Sequence, residues 1–348
     1  MSAAGSPVRT IIVGAGRFGA LHARAWKEAG ADIVGLVDVD EARLSEVAAR
    51  VGALNLSCDA EVLLKETQPD VVVIATAEDS HVEITEIALQ NNCHVLVEKP
   101  FALTAEEARR VMGLAKQRNR EVIAGHISRF AQPYRAMRDA MDAGRIGDLW
   151  SLRLRRDFSR SWFKAFGARV NPVWESCIHD VDLALYFTNA RAARVVAMRS
   201  EAAGASASSI VSSLIQFDNG VLATVETAWS VPEQAPQTES GALELPGSIV
   251  AEAEAHGSSG VVKQRLLSDA LTVWSDAATW SPNPALWPLT DGIVGGALRS
   301  EVEYAIDVVK GNRSNDLMPM DHAVEGIVIA EAIVESLKSA QPVLLTTP

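Results

Sequence analysis

The chain has 348 residues, 48% hydrophobic and 22% charged, with a formal net charge of -12. That composition excludes a disordered or fibrous chain, and at roughly 150 residues per domain the length predicts about two folded domains. The acidic balance argues against a nucleic-acid or anionic-membrane surface, and apolar runs such as 71–75 fall far short of the ~20 residues a membrane-spanning helix needs.

Residues 1–9 read as a short leader before a strand, with no signal-peptide core behind them. Strands are predicted at 8–13, 33–37, 71–75, 94–97 and 121–124, and helices at 18–29, 41–50, 80–91 and 104–118. Near-continuous apolar strands separated by amphipathic helices predict a doubly wound parallel sheet covered on both faces. Asp40 and Thr104 stand at N-cap positions, Thr104 with Glu107 as a capping box.

Beyond residue 125 the pattern changes. Helices are expected at 134–143 and 174–187, around a strand-like stretch at 149–157. Alternating runs follow at 193–200, 209–217, 221–229, 249–255 and 261–267, with Asp218-Asn219-Gly220 as a hairpin turn between two of them. Residues 232–247, rich in Pro and Gly, read as a long loop, and helices at 296–310 and 321–338 close the chain. The fold class expected is α/β: an N-terminal Rossmann doubly wound sheet over 1–125, then an α+β domain with a mostly antiparallel, open-faced sheet over 126–348. An open sheet face needs cover, so a homodimer or homotetramer is expected, with 274–287 as a candidate interface or pocket lid. Cys58, Cys93 and Cys177 form no CxxC pair, which leaves a reducing cytoplasm as the default and suggests neither a disulfide framework nor a metal site.

Gly14-Ala15-Gly16-Arg17-Phe18-Gly19 is a GxGxxG that follows a strand and opens a helix. Such glycines permit a tight turn and close approach to a pyrophosphate at the helix N-terminus. Asp38 stands about 20 residues further on, where a carboxylate binds ribose hydroxyls and repels a 2′-phosphate, so NAD is favoured over NADP. Glu98-Lys99-Pro100 follows the fifth predicted strand, at the carboxyl edge where such sheets bind ligands. Lys99 is either a surface lysine in a connection or a group that polarises a substrate oxygen, and Pro100 is a candidate for a cis bond. Glu175, His179 and Asp182 fall at i, i+4 and i+7 on one helical stripe, away from Cys177, Ile178, Val181, Ala184 and Leu185. That stripe is either a solvated face or a line of catalytic groups. Metal binding by Glu175 and His179 has no further ligand to support it.

Together with Thr76-Ala77-Glu78-Asp79-Ser80-His81, these segments make the chain resemble the Gfo/Idh/MocA oxidoreductases over nearly its whole length. The resemblance implies NAD as cofactor and a sugar, inositol or related polyol as substrate, oxidised at a secondary hydroxyl. It makes Lys99 the active-site lysine and His179 the acid/base histidine. Glu175 stands where the family usually has an aspartate, and Asn171-Pro172-Val173-Trp174 where many members have a glycine run, with Trp174 as an apolar wall. It also implies Gly14, Gly16, Arg17, Phe18, Gly19, Asp38, Thr76, His81, Glu98 and Lys99 beside the cofactor. Arg129, Asp157, Trp174 and Asp182 fall near the substrate. Two alternatives stay open: a non-catalytic NAD-sensing regulator, and an NAD-dependent redox-assisted glycoside hydrolase.

Overall fold

The computed structural model describes residues 6–53, 55–162, 171–200, 210–266, 273–274, 276 and 279–345. The chain divides into two units, 1–126 with 289–324, and 127–288 with 325–348.

In the first unit, strands β1 (Arg9–Val13), β2 (Asp32–Val37), β3 (Leu56–Ser57), β4 (Val71–Ile74), β5 (His94–Glu98) and β6 (Val122–Gly125) form one sheet in the order β3-β2-β1-β4-β5-β6. Every neighbouring pair is parallel, and the order reverses next to β1, as in dinucleotide-binding sheets. Helices α1 (Arg17–Glu28), α2 (Glu41–Val51), α3 (Ala60–Thr67), α4 (His81–Gln90) and α5 (Ala105–Arg118) make the crossovers. β4 and β6 are buried along their length, which is why they read as unbroken apolar runs. The predicted caps form: Asp40 accepts from the Arg43 amide at 3.1 Å, and Thr104 and Glu107 exchange bonds at 3.1 and 3.2 Å. β3 and α3 lie outside the sequence-based elements, because two residues carry no periodicity and eight carry little.

The second unit begins with α6 (Gln132–Asp142) and β7 (Leu149–Ser159). A π-helical turn, Val173–Cys177, leads into α7 (Ile178–Thr188). β8 (Ala192–Arg199), β9 (Val211–Phe217), β10 (Leu222–Val231), β11 (Gln237–Gly241), β12 (Ile249–Gly257), β13 (Val261–Arg265), β14 (Val273–Trp274) and β15 (Thr279–Trp287) follow. After β16 (Leu289–Thr290), β17 (Ile293–Val294) and α8 (Gly296–Val309) in the first unit come α9 (Met320–Ser339) and β18 (Val343–Leu344). The main sheet runs β13-β12-β7-β10-β9-β8-β18, antiparallel at every pair except β7 with β10. Its strands alternate: Leu152 and Leu154 are buried while Arg153 and Arg155 are exposed. The β9–β10 turn closes as expected, with the Phe217 amide on Val221 O at 2.9 Å and Gly220 at φ 87°.

Two expectations need correction. Residues 289–324 belong to the first unit rather than to a continuous second domain from 126, because α8 packs on α1 and the Val294 amide donates to Glu28 Oε2 at 2.8 Å. The stretch 232–247 is not all loop: β11 pairs with β15, a partner too remote in sequence for a local pattern to show. In the 274–287 segment Trp274 is exposed, whereas Trp287 is buried and donates Nε1–H to Leu243 O at 2.7 Å; residues 275, 277 and 278 lie outside the described residues.

Candidate active site

In the first unit the β1–α1 turn is shaped by its glycines. Gly14 sits at φ 96°, and a Cβ there would meet Ala75 O at 2.6 Å; one on Gly19 would meet Gly14 O at 1.7 Å. A Cβ on Gly16 would meet nothing within 4 Å, so internal packing does not demand that glycine. Gly16 caps α1 without a side-chain bond, and the first turn carries no acid, which leaves a helix N-terminus suited to a phosphate. Arg17 is exposed and Phe18 half-buried on that turn.

Asp38, just past β2, ties this loop down. Its Oδ2 accepts from the Ala15 amide at 2.6 Å and its Oδ1 from the Asp40 amide at 2.8 Å, while Arg43 lies 3.8 Å away. A carboxylate has about four lone-pair sites, so two amides leave acceptor capacity for ribose hydroxyls. Glycine turn, uncapped helix and acidic residue therefore fit a dinucleotide.

At the other strand ends, the half-buried Thr76 accepts from Ser80 Oγ at 2.7 Å. His81 is buried between Pro100 O, 2.8 Å from Nδ1, and Thr76 O, 3.2 Å from Nε2, so it links the loops after β4 and β5. Glu98 Oε1 meets Nε2 of the buried His22 at 2.7 Å, and Glu98 Oε2 accepts from the Lys99 amide at 3.3 Å. Burial opposes charge on Glu98, but the hydrogen bond and charge of His22, with Lys99 and His81, hold its carboxyl below the ordinary value. Lys99 is half-buried, and the Lys99–Pro100 bond is cis.

In the second unit, Asn171 Oδ1 accepts from the Val173 and Trp174 amides at 2.9 and 3.2 Å, and Pro172 fills the first helical position. The chain then winds as a π turn, with the Ile178 amide bonded to Val173 O, before α7 continues regularly. Trp174 and Glu175 lie on the π turn and His179 at the start of α7, all half-buried. The even helical spacing assumed for Glu175 and His179 is thus broken between them. Such turns recur at functional sites. Ser176 anchors the turn from below: its hydroxyl lies 3.0 Å from Pro172 O and 2.8 Å from Thr227 Oγ1, and it accepts from Trp229 Nε1 at 3.1 Å.

Asp182, the third member of the stripe, faces inward. Arg129 grips it with Nε and Nη2 at 2.8 and 2.7 Å, and both residues are buried. Each charge is satisfied within the unit, which makes the pair part of the framework that carries α7 rather than an exposed arm of the stripe. Asp180 forms the same kind of pair with Arg156, at 3.0 and 3.1 Å. Asp157 is buried at the end of β7; Arg155 reaches its Oδ2 at 2.6 Å, and its Oδ1 has no partner among the described residues. Burial, opposed by Arg155 and reinforced by Glu226, pushes its carboxyl up to about 6. His22, Ser176 and the Arg156–Asp180 pair escaped the sequence reading. Their only signal is polarity at positions whose neighbours are apolar.

Two family models match the chain. One, for the oxidoreductase family with an NAD-binding Rossmann fold, covers residues 8–126; the GFO/IDH/MocA C-terminal domain covers 134–263. A UDP-N-acetylglucosamine 3-dehydrogenase of Acidithiobacillus ferrooxidans is 31% identical over 232 residues, covering 66% of this chain and 69% of that protein. An inositol 2-dehydrogenase of Acidothermus cellulolyticus is 30% identical over 232 residues, covering 64% and 67%. Among solved structures, scyllo-inositol dehydrogenase from Lactobacillus casei with bound NAD(H) and scyllo-inositol superposes with a TM-score of 0.81 at 20% identity, over 97% of this chain and 99% of that one. At that identity the likeness speaks for the fold. With both family models matched in chain order and a relative at 31% identity, the chain belongs to the Gfo/Idh/MocA oxidoreductase family, with an NAD-binding Rossmann domain.

Proposed function

We propose that the protein is an NAD-dependent dehydrogenase that oxidises a secondary hydroxyl of a sugar, inositol or related polyol. The observation that carries this reading is the pairing, in one chain, of a complete dinucleotide turn anchored by Asp38 with a half-buried histidine on a helix set by a π turn. When bound, NAD supplies the hydride acceptor. His179 takes the hydroxyl proton, Lys99 stabilises the negative charge that develops on the substrate oxygen, and Glu175 orients the histidine or a neighbouring hydroxyl. Gly14, Gly16 and Gly19 hold the pyrophosphate and Asp38 the ribose, which favours NAD over NADP. Trp174 supplies apolar surface to the substrate, and Asp157 offers it a carboxyl oxygen.

The enzyme is further proposed to be cytoplasmic and a homodimer or homotetramer. All three cysteines are free. No described helix is long and apolar enough to cross a membrane. Met198, Leu214 and Leu222 are exposed on β8, β9 and β10 of the main sheet of the second unit, whose other edge carries cross-strand ion pairs such as Arg265 with Glu252 at 2.8 Å.

A sugar and polyol panel followed by NADH absorbance tests the reaction. His179→Ala should lower turnover at least about 10²-fold and leave NAD affinity nearly constant, since the dinucleotide turn lies in the other unit. Wild-type turnover in that variant would refute the assignment of His179.

A further inference from the structure

α8 carries a carboxyl group among apolar neighbours. Glu301 is 0% exposed, as are Leu298, Val302 and Ala305, and neither of its carboxyl oxygens has a hydrogen-bond partner among the described residues. Two other acids of this unit are provided for: the buried Asp38 has two amides and the half-buried Glu98 has His22. An ionised carboxylate left bare in such a place is so costly that the neutral acid is the favoured form.

α8 packs on α1, the helix that brings His22 to Glu98. The charged and titratable groups that act on Glu98 are His22 from α1, Lys99 just past β5 and His81 from the start of α4. The charge of Glu98 in turn acts on Glu301, adding to burial in raising that carboxyl well above its ordinary value. The bond from His22 favours the charged form of Glu98, whereas Glu301, fully buried with neither oxygen bonded among the described residues, favours the protonated one. The space around Glu98 is tight, since a Cβ on Gly125 would lie 3.2 Å from its Cδ.

We propose that Glu301 is a positioning residue for the end of β5: as an uncharged acid it sets no second charge against Glu98, the carboxylate that His22 holds and that accepts from the Lys99 amide. Ionising Glu301 would set a second anion against the first and disturb the bonds that fix Glu98 and the Lys99 amide. The consequence for turnover rests on the dehydrogenase reading; the location of the proton does not.

Unfolding by denaturant across pH, for the wild type and Glu301→Gln, reads the proton. A carboxyl raised in the native state binds its proton more tightly there than in the unfolded chain. The stability it contributes is therefore complete below the unfolded value and falls as pH climbs towards the native one. Glutamine cannot ionise, so the folding constant of the variant relative to wild type should rise about tenfold per pH unit over that range. A ratio that stays flat with pH would overturn the proposal. Should the variant not fold, infrared spectra of wild type with ¹³C-labelled glutamate carboxyls decide instead: a protonated-carboxyl C=O band should persist at neutral pH, and its absence refutes the neutral acid. For the positioning role, the alkaline decline of NAD-linked turnover should begin at higher pH in Glu301→Gln, and superimposable profiles would remove that role. A wild type without turnover on any sugar or polyol counts against the dehydrogenase reading, while unfolding and infrared still locate the proton.

Discussion

In the first unit the loop between β1 and α1 is held by backbone: Gly14 takes φ 96°, Gly19 lets the chain pass itself, and Asp38 accepts the Ala15 amide. In the second, α7 is held by charge. Arg129 and Arg156 are buried, and each closes a two-bond fork on an aspartate of that helix. The first device needs particular residue types at fixed spacing; the second needs a partner delivered from elsewhere in the chain. The difference teaches where each site is vulnerable. A backbone-built turn responds to substitution through ligand affinity, whereas a buried pair responds through stability, because removing one partner strands the other charge.

The largest expected effect breaks the second device. Arg129→Ala should destabilise the protein by about 3–5 kcal/mol in denaturant unfolding, since Asp182 would remain buried without its partner. Arg129→Met combined with Asp182→Leu should recover most of that loss. If the single variant unfolds like wild type, charge pairing does not hold α7.

Asp157 sharpens the comparison, being a buried acid of the same unit that is only half satisfied. Its raised carboxyl, about 6, means the native state keeps the proton longer than the unfolded chain. The stability that Asp157 contributes should therefore fall from the ordinary carboxylate range up to about pH 6, by less than about 3 kcal/mol once solvent screening is allowed for. Asp157→Asn should lack this loss, so its stability relative to wild type rises across that interval and then levels off. Parallel pH curves would show that Asp157 is ionised throughout.

The smallest effect belongs to the first unit. Asp38→Ala removes the acceptor proposed for the ribose and should shrink the preference for NAD over NADP by about tenfold, about 1.4 kcal/mol, in calorimetric titrations. A preference that survives intact would place cofactor choice elsewhere, with Arg43, 3.8 Å from Asp38, as the first residue to test.

The amino-acid sequence by itself determined the parallel sheet, the glycine turn, Asp38 at its distance, the capping box at Thr104 and the Asp218-Asn219-Gly220 hairpin. Each leaves a short-range signal: apolar runs alternating with amphipathic helices imply a parallel sheet, and the glycines, the cap residues and the turn residues are fixed by backbone sterics and hydrogen bonds. Even the position of Glu-Lys-Pro after β5 is local information. Only the tertiary structure decided that Asp182 turns inward to Arg129, that Glu175 lies on a π turn which breaks its regular spacing to His179, and that α8 returns to the first unit with Glu301 buried in it. Those outcomes depend on groups distant in sequence, because a carboxylate's fate is set by which cation or dipole reaches it and by how much water is excluded. Helical periodicity reports which side a residue faces and carries no record of what waits there.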